Sequence, residues 1–358
     1  MHEDAFHLLA QPAAAQVRTQ EDRRRREVVL TLVTIAFVGD TLLGDQFQDL
    51  LRERGYDHPL LGIAPLLSRA AFTVVNLEGV LTAEDRGLPG VPQRTRFWMR
   101  ADPESAAALA AYGVRLVSLA NNHVLDYGLD GLDETISTLD AYGIAHCGAG
   151  ATEAEARRPR ILHANDVRVA FLSCIQRYDM YEGWLYAEGE RGGCKRLAVR
   201  TVSHDLPQLD EAADVSIVLA HWGRNYRDVT PAQERWAPRL ATAGADLVIG
   251  HHPHIAQRVE ILHGCPIVYS LGNGPFGTRG RFASYGQAPY GLVALAEIEP
   301  PGTLTALELH LIDVDNRASQ FRPTPVEDET AIPFLRTLTA PADGWYQRGH
   351  ALRLERSG

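Results

Sequence analysis

Residues 246–254 read DLVIGHHPH, and this stretch decides the reading of the chain. Leu247, Val248 and Ile249 form a short apolar run of the kind that becomes a fully buried strand. Three histidines follow at once, with Pro253 fixing the backbone between His252 and His254. Imidazoles placed immediately after a buried strand stand where open α/β sheets put their ligand sites.

The same arrangement recurs in both directions along the chain. FVGDTLLGD carries Asp40 after an apolar run, VVNLEG carries Glu78, and LVSLANNHVLDYG carries Asn122 and His123. IVLAHWGRNY carries His221, and IVYSLGNG carries Asn273. A single Asp at a strand end is ordinarily a turn or cap, and a single His an ordinary core or surface residue. The repetition argues for a shared site. Carboxylate, amide oxygen and imidazole, without thiolate, suit borderline divalent ions such as Mn, Fe, Zn or Co, and Glu78 could bridge two of them.

Between these points, β-rich runs near 28–38, 73–77, 115–119, 167–173, 215–220, 246–250 and 267–271 alternate with helical patterns near 46–55, 103–112, 129–142 and 230–243. That alternation predicts an α/β fold with a largely parallel buried sheet, and the runs near 291–298 and 304–312 predict an antiparallel finish. Segments 82–97, 177–196 and 274–290 read as long functional loops. Residues 1–26 are expected to be a flexible lead-in, 27–320 the catalytic domain, and 321–358 a tail packed on it.

The chain has 358 residues, 45% of them hydrophobic, and a formal charge of −10, which offers no basic field to a nucleic acid. Cys147, Cys174, Cys194 and Cys265 are scattered and show no CxxC spacing, which predicts reduced thiols and a cytoplasmic protein. Arg23 to Arg26 precede an apolar run, Val28 to Val38, that is too short to span a membrane; it reads as the first strand.

GDTLLGD, NLEGVL, NNHVLDYG, HWG, HHPH and SLGN, in this order over roughly residues 33–300, resemble the CapA (poly-γ-glutamate synthesis) family, whose fold is that of the calcineurin-like metallophosphoesterases. The resemblance implies a four-layer α/β/β/α sandwich. It places Asp40, Glu78 and His254 on one ion and Glu78, Asn122, His221 and His252 on a second, with His123 assisting a leaving group. The phosphoesterase pattern has a histidine where Leu42 stands and an aspartate where Glu78 stands, which argues against ordinary phosphoester hydrolysis. The family pattern has glutamate at the position of Asn225, and often a membrane segment before the domain.

The resemblance also extends to lasso-peptide epimerases. The expected reaction is therefore metal-assisted epimerisation of a C-terminal residue or amide hydrolysis, on a peptide or poly-γ-glutamate-like carboxylate, with biosynthetic-cluster partners. A non-catalytic capsule-synthesis subunit and a phosphoesterase are the alternatives. Asp40, His123 and His251 are the candidates for proton transfer. Arg94, Arg96, Arg177, Asn273 and Arg279 are the expected substrate contacts, with Arg86 and Arg281 in the same loops. Tyr178, Tyr181, Trp184 and Tyr186 form either an aromatic lid or local packing.

Overall fold

The computed structural model describes residues 32–84 and 98–356. Its strands of three residues or more are β1 (Val33–Leu42), β2 (Phe72–Leu77), β3 (Val114–Ser118), β4 (Ala145–Cys147), β5 (Arg160–Ala164), β6 (Val167–Ile175), β7 (Val215–His221), β8 (Leu247–His251), β9 (Val259–Leu262), β10 (Cys265–Val268), β11 (Asn273–Phe276), β12 (Tyr290–Glu299), β13 (Thr303–Asp313), β14 (Tyr346–Arg348) and β15 (Ala351–Glu355). The principal helices are α1 (Gln48–Arg54), α2 (Ala64–Leu67), α3 (Ser105–Ala111), α4 (Gly128–Ala141), α5 (Leu206–Ala212), α6 (Pro231–Thr242) and α7 (Ala331–Leu338).

Among the described residues the parallel strands are divided between two sheets rather than gathered in one. The first runs β14-β15-β13-β12-β1-β2-β3-β4, with β11 pairing β1 in parallel; the second runs β9-β10-β8-β7-β6-β5. Strand alternation explains the layering. Ile35 and Phe37 of β1 face Phe171, Ile217 and Ile249 of the second sheet in an inter-sheet core. The opposite faces of the first sheet, with Ala36, Val38, Val75 and Val117, are covered by Leu51, Leu109 and Leu132 from α1, α3 and α4. Leu172, Val218 and Val248 are covered by Leu209 and Leu240 from α5 and α6. This is the expected four-layer α/β/β/α sandwich. Helix α6 starts from a reciprocal capping box between Thr230 and Gln233, with Pro231 in its first turn.

Several boundaries differ from the sequence reading. β1 continues through Asp40 to Leu42, and its pairing shifts register at Asp40, so the carboxylate sits in a bulge within the strand rather than beyond its end. The strand expected to 271 stops at Val268. The loops at 177–196 and 274–290 contain short helical turns, Asp179–Tyr181 and Phe282–Tyr285. Strands β5 and β9 are antiparallel edges that the alternation of βα units did not announce. In the last 36 described residues, β15 pairs with β13 and β14 with β15, continuing the first sheet. The lead-in at 1–26, most of the 82–97 loop, and Arg86, Arg94 and Arg96 lie outside the described residues.

Candidate metal centre

Strands β1, β2, β7 and β8 carry their polar residues to one end of the two sheets. Asp40 pairs in register with Asn76 and Asn273, and His221 with His251. Two glycines permit this convergence: a Cβ on Gly39 would lie 1.9 Å from the Gly272 carbonyl oxygen, and one on Gly250 would lie 2.0 Å from that of Tyr269. The backbone then turns sharply, with His252 at φ 96° and His254 at φ 61°, a left-handed region that side-chain-bearing residues rarely occupy. Such strain persists where surrounding structure imposes it, and it concentrates at ligand sites.

Two groups of buried donors result, Asp40–Glu78–His254 and Glu78–His221–His252, and within each the ligand atoms all lie within 4.8 Å of one another. His254 Nδ1 stands 3.1 Å from Asp40 Oδ2 and 3.9 Å from Glu78 Oε2; His221 Nε2 stands 3.8 Å from Glu78 Oε1 and 2.7 Å from Asn122 Oδ1. Glu78 is fully buried, yet neither carboxylate oxygen has a hydrogen-bond partner, and His252 Nδ1 is likewise without one. Buried polar atoms left without partners are costly. Donor atoms that converge in this way, with both Glu78 oxygens and His252 Nδ1 left unpartnered, suit ligands that share a cation at the usual ~2.0–2.2 Å bond lengths. The residues present therefore fit a divalent metal.

The electrostatics point the same way. Burial, with the negative charge of Asp40 beside it, raises the Glu78 carboxyl well above the ordinary glutamate range. For Asp40 burial acts upward, but the hydrogen bond and charge of His254 outweigh it, so this carboxyl lies below its ordinary value. Burial drives His221 well below the ordinary histidine range and His252 down to about 3, with neighbouring imidazoles adding to both shifts. Neutral imidazoles are the form that binds metal.

Three side chains that the motif reading left without a role hold this arrangement in place. Asn76 Nδ2 donates to Asp40 Oδ1 at 2.8 Å. Asn121 Nδ2 donates to the Leu77 carbonyl, and its own oxygen accepts from the His123 amide. Asp126 Oδ2 receives His123 Nδ1 at 2.7 Å and the Met99 amide at 2.9 Å. The available signal was polarity out of place, above all an asparagine inside the apolar run TVVNL.

Of the other candidates, His123 lines a cavity of about 270 Å³ beside His254, and Arg279 lines the same cavity. His251 is buried with both ring nitrogens unpartnered and does not line it; burial lowers its pKa despite the nearby Asp40 and the Val38 backbone. Asn273, expected at the substrate, is buried and lies 3.0 Å from His254 Nδ1, orienting that ring. Arg177 is exposed and engaged with Glu182 and Asp179, away from the cavity lining. Tyr178 packs 5.6 Å from the His252 ring and donates to the Gly223 carbonyl, while the Tyr186 hydroxyl is tied to the Gln176 and Tyr178 backbone, so these aromatics support the site locally. Leu42 is buried in the core beneath the first sheet. All four cysteines are free and buried.

Two face-to-face sheets with outer helices, and carboxylates and imidazoles converging at one end of the strands, define the fold of the calcineurin-like metallophosphoesterases. Residues 34–277 match the family described as bacterial capsule synthesis protein PGA_cap, and the chain belongs to that family. It is 28% identical over 266 residues to the capsule biosynthesis protein CapA of Bacillus anthracis, covering 73% of this chain and 62% of that one. It is 33% identical over 210 residues to a probable polyglutamine synthesis accessory protein of Mycobacterium tuberculosis, covering 56% of this chain and 54% of that one. The match thus spans less than two thirds of either relative. The NAD nucleotidase of Haemophilus influenzae aligns over 87% of this chain and 64% of its own, at 12% identity and a TM-score of 0.46. No helix among the described residues is long and apolar enough to cross a membrane.

Proposed function

We propose that this protein is a metal-dependent amidase that hydrolyses γ-glutamyl bonds in an anionic glutamate chain. The observation that supports this reading is the His123–Asp126 pair set beside a buried carboxylate–imidazole cluster in which neither Glu78 oxygen has a hydrogen-bond partner. In this reading Asp40, Glu78 and His254, and Glu78, Asn122, His221 and His252, hold the ions. Ions bound there would polarise the amide carbonyl and make water acidic enough to be a nucleophile near neutral pH.

The protein's own groups do the rest. Asp126 accepts from Nδ1 of His123 and fixes the ring, leaving Nε2 as its remaining nitrogen at the cavity that the residue lines. From there Nε2 can accept one proton of the attacking water and pass it to the amide nitrogen as the C–N bond breaks and the C–O bond forms. The second water proton leaves the new carboxyl for the released amine, so the products are a carboxylate and an ammonium. Epimerisation requires proton donor and acceptor on opposite faces of one carbon, and His123 is the one histidine outside the ligand set among the described residues lining this cavity, which favours hydrolysis.

The test uses metal-loaded protein and γ-linked glutamate oligomers in H₂¹⁸O. One ¹⁸O should enter a new carboxyl with chain cleavage, and His123→Gln should slow this by about 10²–10⁴-fold with metal content unchanged. Deuterium at an α-carbon without cleavage, in D₂O, would assign epimerisation instead. Neither cleavage nor exchange, in a protein that retains no metal, would make it a binding subunit.

A further inference from the structure

Among the residues lining the cavity beside His254 are three arginines, Arg279, Arg281 and Arg317, contributed by two separate segments of chain. None pairs with a carboxylate among the described residues, although the protein is acidic overall and its other arginines are frequently paired. Unpaired like charges gathered in one cavity repel each other, so their arrangement calls for an external anion.

The arginines are also held in place. The Arg279 amide donates to Gln46 Oε1 at 3.1 Å, the Arg281 amide to the Tyr226 hydroxyl at 3.1 Å, and the Arg317 amide to Asp315 Oδ1 at 3.0 Å. Asn316, buried next to Arg317, donates Nδ2 to the carbonyls of Phe276 and Thr278 at 2.7 and 2.6 Å, clamping the two arginine-bearing segments together. The Arg281 guanidinium lies 5.2 Å from the Tyr226 ring centroid and 5.5 Å from that of Tyr285, and Tyr226 in turn packs 5.6 Å from His254. Fixing the backbone at all three positions, and the Arg281 guanidinium against two aromatic rings, reduces the entropy lost when these arginines engage a ligand.

We infer that this cavity is a second anion subsite, in which Arg279, Arg281 and Arg317 bind a carboxylate of the substrate chain next to the residue held at the metal centre. The inference rests on the amidase reading and extends it to chain recognition: the preferred substrate carries carboxylates at successive residues, and a single free glutamate leaves the subsite empty. Guanidiniums suit this task because their planar fork matches a carboxylate with two parallel hydrogen bonds.

Binding of γ-linked glutamate monomer, dimer and tetramer to the metal-loaded full chain, measured by calorimetry at two salt concentrations, tests this. The wild type should bind the tetramer at least about tenfold more tightly than the monomer, with an advantage that shrinks as salt rises. Arg281→Met and Arg317→Met should each remove most of that advantage, Arg281→Lys should keep part of it, and metal content and thermal midpoint should stay at wild-type values. Variants that keep full metal and bind the tetramer as the wild type does would overturn the subsite alone. A wild type that binds none of the glutamyl probes would overturn the amidase reading and this inference with it. Inorganic phosphate competing for the subsite as effectively as the tetramer would overturn the assignment to a carboxylate chain.

Discussion

Two of the clusters of buried charge among the described residues are built on opposite terms. On the first sheet, Glu308 is buried but receives Arg69 at 2.7 Å, His310 at 2.6 Å and Arg348 at 3.2 Å, while Arg353 clamps Glu297 through two contacts of 2.6 and 2.7 Å. Every charge there has its counter-charge from the protein. At the strand ends, Glu78 is buried with neither oxygen satisfied, among imidazoles that burial keeps neutral. One cluster completes itself, and the other is left open to a cation. Burial alone therefore does not mark a functional site; burial without partners does.

Breaking each cluster should give different readouts, and the largest is at Glu78. Glu78→Gln removes the carboxylate common to both donor groups, and metal affinity should fall by more than the about 10–100-fold typical of supporting residues, measured by elemental analysis after dialysis. The thermal midpoint of the metal-free protein should hold or rise, because burial and the neighbouring Asp40 disfavour the ionised form of the carboxyl it replaces. Arg353→Ala should do the reverse: a loss of about 1–3 kcal/mol in urea unfolding, with metal content unchanged.

Acid separates the clusters more finely. His252 has its pKa lowered to about 3 by burial. Below about pH 6.5 the unfolded chain takes up a proton that the folded, metal-free chain refuses, so stability is complete above that pH and is lost as pH falls toward 3. His221 and His251 shift in the same direction, whereas the raised Glu78 works oppositely, losing stability as pH rises above the ordinary glutamate range; three histidines outnumber it. For Glu308 burial acts upward but the hydrogen bonds of His310 and Arg69 prevail, setting it at about 2, so its contribution is lost only as pH falls below about 4.3. Urea midpoints of metal-free protein should therefore already decline between pH 6.5 and 5, with a slope of up to about 1.4 kcal/mol per pH unit for each histidine, and His252→Gln should flatten it. A midpoint constant down to pH 4.5 would break the contrast.

The central strands and all the strand-end donors were legible because burial on both faces leaves a continuous apolar run with a polar residue conspicuous at its end. Edge strands β5 and β9 were not, since each is short and half-exposed and carries polar residues among its apolar ones. The bulge at Asp40 was invisible because register depends on partners far away in sequence. Asn76, Asn121 and Asp126 act through hydrogen bonds to other polar groups, and a pattern of apolar spacing does not record those. Arg281 and Arg317 come together only because Asn316 joins two turns that the sequence separates.

Glu78, common to both donor groups, couples them through a proton as well as through geometry. Burial disfavours the ionised form of this carboxyl, so the first cation to arrive must overcome that cost, whereas a second meets it already ionised. Loading followed in two buffers of different ionisation enthalpy should resolve two unequal steps, the weaker in acid being the first. Ambient pH would then set the threshold for acquiring any metal more strongly than the ratio of singly to doubly loaded protein.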